Sequence, residues 1–218
     1  MGRVFKFLIL VLAVLTAALA TYGGKGYVDA KLAADDLRSR ANGLIAEGRS
    51  GADLGAERLN WLLRVQDPAF RDHSGVDFST VGAGATTISQ SVSKRLACKH
   101  FEPGIGKVRQ TGYALGLEQS LTKDQILALW LATVEMGRGP NGWMTGFFEA
   151  STMVFGVPPS EVTDTEFLRL VAVLIAPASF DLLQGEEKLV ARTERIERML
   201  AGKCAPLGHG DVWLEGCR

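Results

Sequence analysis

The chain has 218 residues, 47% hydrophobic and 22% charged, which suits one substantial core and excludes a disordered or low-complexity composition. Its 24 basic residues balance 24 acidic ones, so there is no general field to attract a polyanion: nucleic acid is not an expected partner, and any anion site must be local. The three cysteines, Cys98, Cys204 and Cys217, form no C-x-x-C and no Cys/His cluster at ligand spacing, so a zinc site is not expected.

The first 24 residues carry the clearest physical signal. Arg3 and Lys6 form a basic start, Phe7 to Ala20 is a run without charge, and Ala18-Leu19-Ala20 fits a small-x-small cleavage pattern. The run is short for a spanning helix unless Thr21, Tyr22 and the two glycines extend it, so signal peptide and retained anchor both fit. In either case the basic side faces the cytoplasm and residues after Gly24 lie outside the inner membrane.

A helical N-terminal extension, 25–64, follows. Asp29 to about Glu47 reads as a polar surface helix, and Ala52 to Val65 as a helix with Leu54, Leu59, Leu62 and Leu63 on its apolar stripe. Pro68, Gly75, Gly82 and Gly84 break the periodicity between Asp67 and Ala85, which predicts a loop. Thr86 or Thr87 then caps a helix to about Ala97, a second loop spans His100 to Gly106, and Lys107 to Leu121 is helical. Thr122 caps a helix whose run ILALWLATVEM is apolar nearly all round, which marks it as central core. Gly137 to Gly142 reads as a turn. Helices follow over Met144 to Phe155, about Asp164 to Ile175 after the stop at Pro158-Pro159, and about Glu186 to Ala201. No segment alternates in polarity as a strand would, so the expectation is a mainly α, single domain of about eight helices. In the tail, 202–218, Cys204 and Cys217 bracket a short Gly- and Pro-containing stretch. In an oxidising compartment they could close a small loop and leave Cys98 odd, one of three possible pairings.

Val65 to Asp77 reads VQDPAFRDHSGVD, and Gly84 to Leu96 reads GATTISQSVSKRL. Three further segments follow, Lys107 to Leu131, Gly146 to Gly156 and Ala172 to Phe180. In this order, over about Val65 to Leu182, the chain resembles glycosyltransferase family 51, the peptidoglycan glycosyltransferase module of class A penicillin-binding proteins and monofunctional biosynthetic transglycosylases. The first motifs of that family read E-D-x-x-F-x-x-H-x-G, G-x-S-T-I-T-Q-Q-x-x-K-N and R-K-x-x-E-A. The resemblance implies a lysozyme-like helical domain, here over 65–201, at the membrane surface. It also implies lipid II or nascent glycan as ligand, and a cell-wall synthase as a possible partner. Polymerisation of lipid II needs a general base for the attacking hydroxyl, and positive charge or a divalent metal such as Mg or Mn for the leaving diphosphate.

Both positions where the family carries its catalytic glutamates hold glutamine, Gln66 and Gln110. A glutamine amide keeps nearly the shape of Glu and can donate and accept hydrogen bonds, but it cannot take a proton near neutral pH. Gly106 replaces the motif arginine, Ser91, Arg95 and Ala132 replace family amides, and the connection between His73 and Gly84 is shortened. Asp67, His73, Thr87, Gln90, Lys94 and Lys107 are retained. By the resemblance His73, Thr86, Thr87, Gln90, Lys94 and Lys107 bind substrate, Lys94 and Lys107 at the diphosphate, with Arg95 and Arg109 as replacements for the missing charge. The expected leading function is a catalytically impaired, glycan-binding relative. The alternatives are an active enzyme with its base relocated to Asp67 or Glu118, or an envelope interaction module with a collapsed cleft. The motif order implies that Gln66 and Gln110 face each other across one groove lined by Lys94 and Lys107. Ser91-Val92-Ser93-Lys94 also fits S-x-x-K, but the partner motifs of penicillin-binding transpeptidases are absent and the lysine already has a reading.

Overall fold

The computed structural model describes residues 2–97 and 104–218, so Cys98 and most of the loop expected after His100 lie outside the described residues. The described residues form a mainly α fold with one two-stranded sheet. The helices are α1 (Arg3–Leu32), α2 (Ala34–Ala46), α3 (Ala56–Gln66), α4 (Ile88–Ala97), α5 (Ile105–Glu118) and α6 (Lys123–Thr133). The strands β1 (Glu135–Gly139) and β2 (Gly142–Thr145) come next, followed by α7 (Phe147–Phe155), α8 (Asp164–Val173) and α9 (Glu187–Leu200).

Helix α1 runs unbroken through the glycines that close the apolar run. From Val4 to Leu32 it is 29 residues, its most apolar stretch of 18 has a mean hydropathy of 2.4 and is not buried, and it is long and apolar enough to cross a membrane. Its C-terminal third is seated on α5 through small residues. A Cβ on Gly26 would run into the Arg109 carbonyl, one on Gly112 into the Gly23 carbonyl, and one on Gly116 into Ala30. Glycine costs helix propensity, but only glycine lets these two backbones approach so closely. Asp29 then accepts from Arg109 at 2.7 Å, and the Tyr27 hydroxyl donates to Gln119 at 2.6 Å.

Helix α6 is the centre of the core: Ile126 to Leu131 are all buried, and a Thr122–Gln125 capping box fixes its start. The same device, Thr163 with Glu166, starts α8. Phe147 and Phe167 pack edge to face at 5.7 Å between α7 and α8.

The expectation of no strands is corrected by the antiparallel β1–β2 hairpin. Its strands have no alternating polarity to read. Met136 and Met144 anchor them in the core, and Gly137, at φ 83°, lies so close to the Pro177 carbonyl that a side chain would not fit. Because Met144 and Thr145 belong to β2, α7 begins at Phe147, after Gly146 at φ 96°, and not at Met144 as expected.

The tail is closed by a Cys204–Cys217 disulfide. It folds back on the loop before α4, where Gly82 N donates to Gly208 O at 3.0 Å and Gly84 N to His209 O at 2.8 Å.

Candidate substrate cleft

Helix α3 ends at Gln66, and the next residue ties the loop down. Asp67 is 1% exposed, and its carboxylate accepts from Ile88 N at 2.8 Å and from His73 Nε2 at 3.0 Å. Gly75 N donates to His73 Nδ1 at 3.0 Å, which leaves the imidazole proton on Nε2, where Asp67 receives it. Lys123 donates to His73 O at 2.6 Å, pairs with Glu118 at 2.7 Å and lies 4.6 Å from the centre of the Phe70 ring. Glu118 also accepts from the Ser89 hydroxyl. Asp67, His73, Glu118 and Lys123 thus form one partly buried brace between loop, α4, α5 and α6.

Thr87 starts α4 as half of a capping box. Its hydroxyl accepts from Gln90 N at 3.2 Å and donates to Gly75 O at 2.7 Å, while Gln90 Oε1 accepts from Thr87 N at 3.3 Å. The rest of the Gln90 side chain bridges to α5: its amide donates to Thr111 at 2.9 Å, and its Oε1 accepts from Lys107 Nζ at 3.2 Å. Lys107 also donates to Thr86 at 2.9 Å. Burial lowers the Lys107 pKa and the neighbouring Lys94 charge lowers it further, so two cations are held close at this edge.

A cleft of about 730 Å³ opens between these elements. Gln66, Thr86, Thr87, Lys94 and Arg95 line it together with Glu135, Trp130, Leu174, Ile175, Arg192 and Val212. Gln66 donates from its amide to Val171 O at 3.3 Å, which holds the side chain against α8. Arg95 bonds Ser91 O at 3.1 Å; burial pulls its pKa down and Glu135 opposes that. Glu135 in turn accepts from the Trp143 indole.

The structure therefore brings Gln66, Thr86, Thr87 and Lys94 to one cavity. The expected groove with Gln66 facing Gln110 between Lys94 and Lys107 is corrected: neither Lys107 nor Gln110 is among the lining residues, because the packing of α4 on α5 turns Gln110 inward. It is 1% exposed in the α4–α5 seam, donates to Gln90 O at 2.6 Å, and its own Oε1 has no partner. Lys107 reaches the cleft edge only through Thr86, while Asp67, His73 and Gln90 lie behind the wall. Glu135, Arg192 and Val212 are cleft residues that the motifs do not contain. They come from β1, α9 and the tail, segments whose sequence carries no signal of convergence.

Residues 51–201, which supply most of this cleft, match the family model described as transglycosylase. The chain belongs to the transglycosylase family. It is 28% identical over 161 residues to penicillin-binding protein 2D of Bacillus subtilis (strain 168), covering 68% of this chain and 23% of that protein. With a biosynthetic peptidoglycan transglycosylase of Marinomonas sp. (strain MWYL1) it shares 30% over 151 residues, 64% of this chain and 65% of the relative. The chain thus spans less than two thirds of the length of the curated relatives it matches.

The divalent metal that this transglycosylase-family resemblance suggests does not fit the donor set. Among the described residues no three His, Cys, Asp or Glu side chains cluster as a metal site would require. At the glutamate position of the third motif stands a buried amide, with Lys107 on the preceding turn of the same helix.

Proposed function

We propose that this is a peptidoglycan glycosyltransferase-like protein that holds lipid II or nascent glycan in the cleft without polymerising it, at the outer face of the bacterial inner membrane. The observation that carries the reading is that Gln66, at the base position, opens into a cleft that still has Thr86, Thr87 and Lys94 on its wall. An amide there can orient a sugar hydroxyl but cannot take its proton, and a general base contributes on the order of a hundred- to ten-thousand-fold in rate. The two neighbouring carboxylates offer no replacement. Asp67 spends its oxygens on Ile88 N and His73, and Glu118 is committed to Lys123 and Ser89. Helix α1 supplies the membrane anchor or export signal that access to a lipid-linked sugar requires.

One observation favours a second reading. Glu135 is a carboxylate on the cleft wall, so an active enzyme with a relocated base would use Glu135, not Asp67 or Glu118.

The test is polymerisation of lipid II by the full chain in detergent, read as glycan products on a gel, beside direct binding of lipid II. Binding without product is expected. Gln66→Glu with Gln110→Glu should recover only trace product, because Gly106 still replaces the arginine of the third motif. Wild-type product that disappears in Glu135→Gln would sink the impaired-enzyme reading and establish the second.

A further inference from the structure

The motifs end before the tail, yet the tail builds one end of the cleft. Val212 lines it beside Ala83, Gly84 and Ala85, which belong to the loop that leads into α4. The ends of that loop are tied: Thr87 Oγ1 donates to Gly75 O at 2.7 Å, and Ile88 N to Asp67 at 2.8 Å. Residues 76–86 can therefore shift without disturbing the start of α4. Little of the loop is anchored in the core, because its larger apolar residues, Phe78 and Val81, are exposed. What holds it is the tail. Gly82 N donates to Gly208 O at 3.0 Å, Gly84 N to His209 O at 2.8 Å, and His209 Nδ1 to Thr80 O at 2.9 Å. A Cβ on Gly82 would meet Pro206, and one on Gly84 would meet Val212, so the two segments lie in close contact.

The shape of the tail depends in turn on the bond between Cys204 and Cys217, 13 residues apart. Inside this ring Asp211 accepts from Leu207 N at 2.9 Å and from Glu215 N at 2.7 Å, which folds the segment so that Gly208, His209 and Val212 meet the loop. Cys217 is 1% exposed and Arg198 donates to its carbonyl at 2.7 Å, whereas Cys204 is only half-buried. One sulfur is thus held against α9 and the other is the more open to a reagent. Without the covalent closure, two backbone hydrogen bonds and one imidazole would have to offset the entropy of ordering the whole segment against the loop.

We propose that the tail is a redox-operated strap: closed by the Cys204–Cys217 bond it pins residues 76–86 and narrows this end of the cleft, and reduced by a dithiol it releases them. The thiolate of the reductant attacks the sulfur of Cys204 and forms a mixed disulfide, while the sulfur of Cys217 leaves as a thiolate and takes a proton. The second thiol of the reductant then attacks the mixed bond. Cys204 is released as a thiol, the reductant becomes a disulfide, and two electrons and two protons have passed to the protein. Oxidation by a disulfide of the same class runs the exchange backwards, which suits a chain that matures in an oxidising compartment. The strap acts on the shape of the cleft and does not depend on what the cleft binds.

The test is a two-dimensional NMR spectrum of the full chain in detergent micelles, labelled with nitrogen-15 at glycine, before and after dithiothreitol. Reduction should move the Gly82 and Gly84 signals, with those of Gly208 and Gly210, toward the positions of disordered glycine. Gly112 and Gly116, in the seam of α1 and α5, should stay where they are, and reoxidation should restore the first spectrum. Cys204→Ser with Cys217→Ser should show the reduced pattern without reductant. His209→Ala keeps the bond but loses the contact to Thr80, so it should shift Gly82 and Gly84 part of the way. Should the double Ser variant not fold, reduction of the folded wild type decides alone. An unaltered spectrum, or movement of the tail glycines with Gly82 and Gly84 unmoved, overturns the proposal. Loss of every glycine signal together, Gly112 and Gly116 included, overturns it as well, because the bond would then be a staple of the whole fold and not a strap on one loop.

Discussion

Gly112→Ala is the sharpest probe of how α1 is joined to the domain. The added Cβ would lie 1.9 Å from the Gly23 carbonyl oxygen and 3.2 Å from Gly23 Cα, both backbone atoms that cannot rotate away. Relief requires α1 to move outward by about an ångström, enough to weaken the Asp29–Arg109 and Tyr27–Gln119 bonds. Overpacking of this kind costs about 1–3 kcal/mol, and the disturbed bonds add about 1 more, against roughly 1 kcal/mol gained in helix propensity. The net loss is about 1–3 kcal/mol, or a fall of roughly 2–12 °C in Tm for a chain of this size. Gly43→Ala is the control. Gly43 lies inside α2 with nothing within 4 Å of the added atom, so the same substitution should stabilise by about 0.5–1 kcal/mol. Circular dichroism melts of both variants in detergent decide the matter. A Gly112→Ala melt equal to or above that of the wild type would mean that α1 does not seat on α5.

Two further outcomes follow from the tail and its loop. Reducing the disulfide, or replacing Cys204 and Cys217 by Ser, should cost about 3 kcal/mol, the value for closing a loop of this length; equal melts with and without reductant would show the bond to be idle. Asp77 is subject to a burial penalty that is outweighed by the Thr80 and Ser79 N–H groups, which hold its pKa at about 2. Its depressed pKa contributes stability that is complete above the usual carboxylate range and is lost as pH falls through about 2. The protection of the Ser79 and Thr80 amides, corrected for the intrinsic pH dependence of exchange, should therefore fall in acid, and Asp77→Asn should remove that fall.

The parts of the fold that sequence revealed are those where one segment carries its own signal. Thr122 and Thr163 cap helices where the pattern put them, and the apolar run of α6 is the core. The hairpin escaped because Glu135–Gly139 and Gly142–Thr145 have no clear alternation and only one β-branched residue, Thr145; burial of two methionines holds them. Whether Gly23 and Gly24 extend the apolar run is open from sequence, because glycine is a poor helix former; Gly26 carries no reading. The reason all three lie inside α1, contact with a helix about 90 residues away, is not local and leaves no mark on the segment itself.

The same distinction runs through the site. Motif positions placed Gln66, Thr86, Thr87 and Lys94 on the cleft, but they did not distinguish residues that face it from those that build its wall. Asp67, His73 and Gln90 turn out to brace the loop and cap α4, work that fixes the cleft's shape whether or not any chemistry occurs there. The amides at the two positions are themselves part of the packing: Gln66 donates to Val171 O and Gln110 donates to Gln90 O, bonds that an ionised carboxylate could not make. Glutamate at position 110 would set a negative charge in a 1% exposed seam, and Lys107, three residues earlier on α5, is already shared between Thr86 and Gln90. A buried carboxylate without a partner costs several kcal/mol, and glutamine avoids that cost while retaining the donor that α4 needs. The cleft is thus a shape with cations at its edge and amides at positions 66 and 110. On the proposed reading, such a cleft holds an anionic glycan precursor without turning it over.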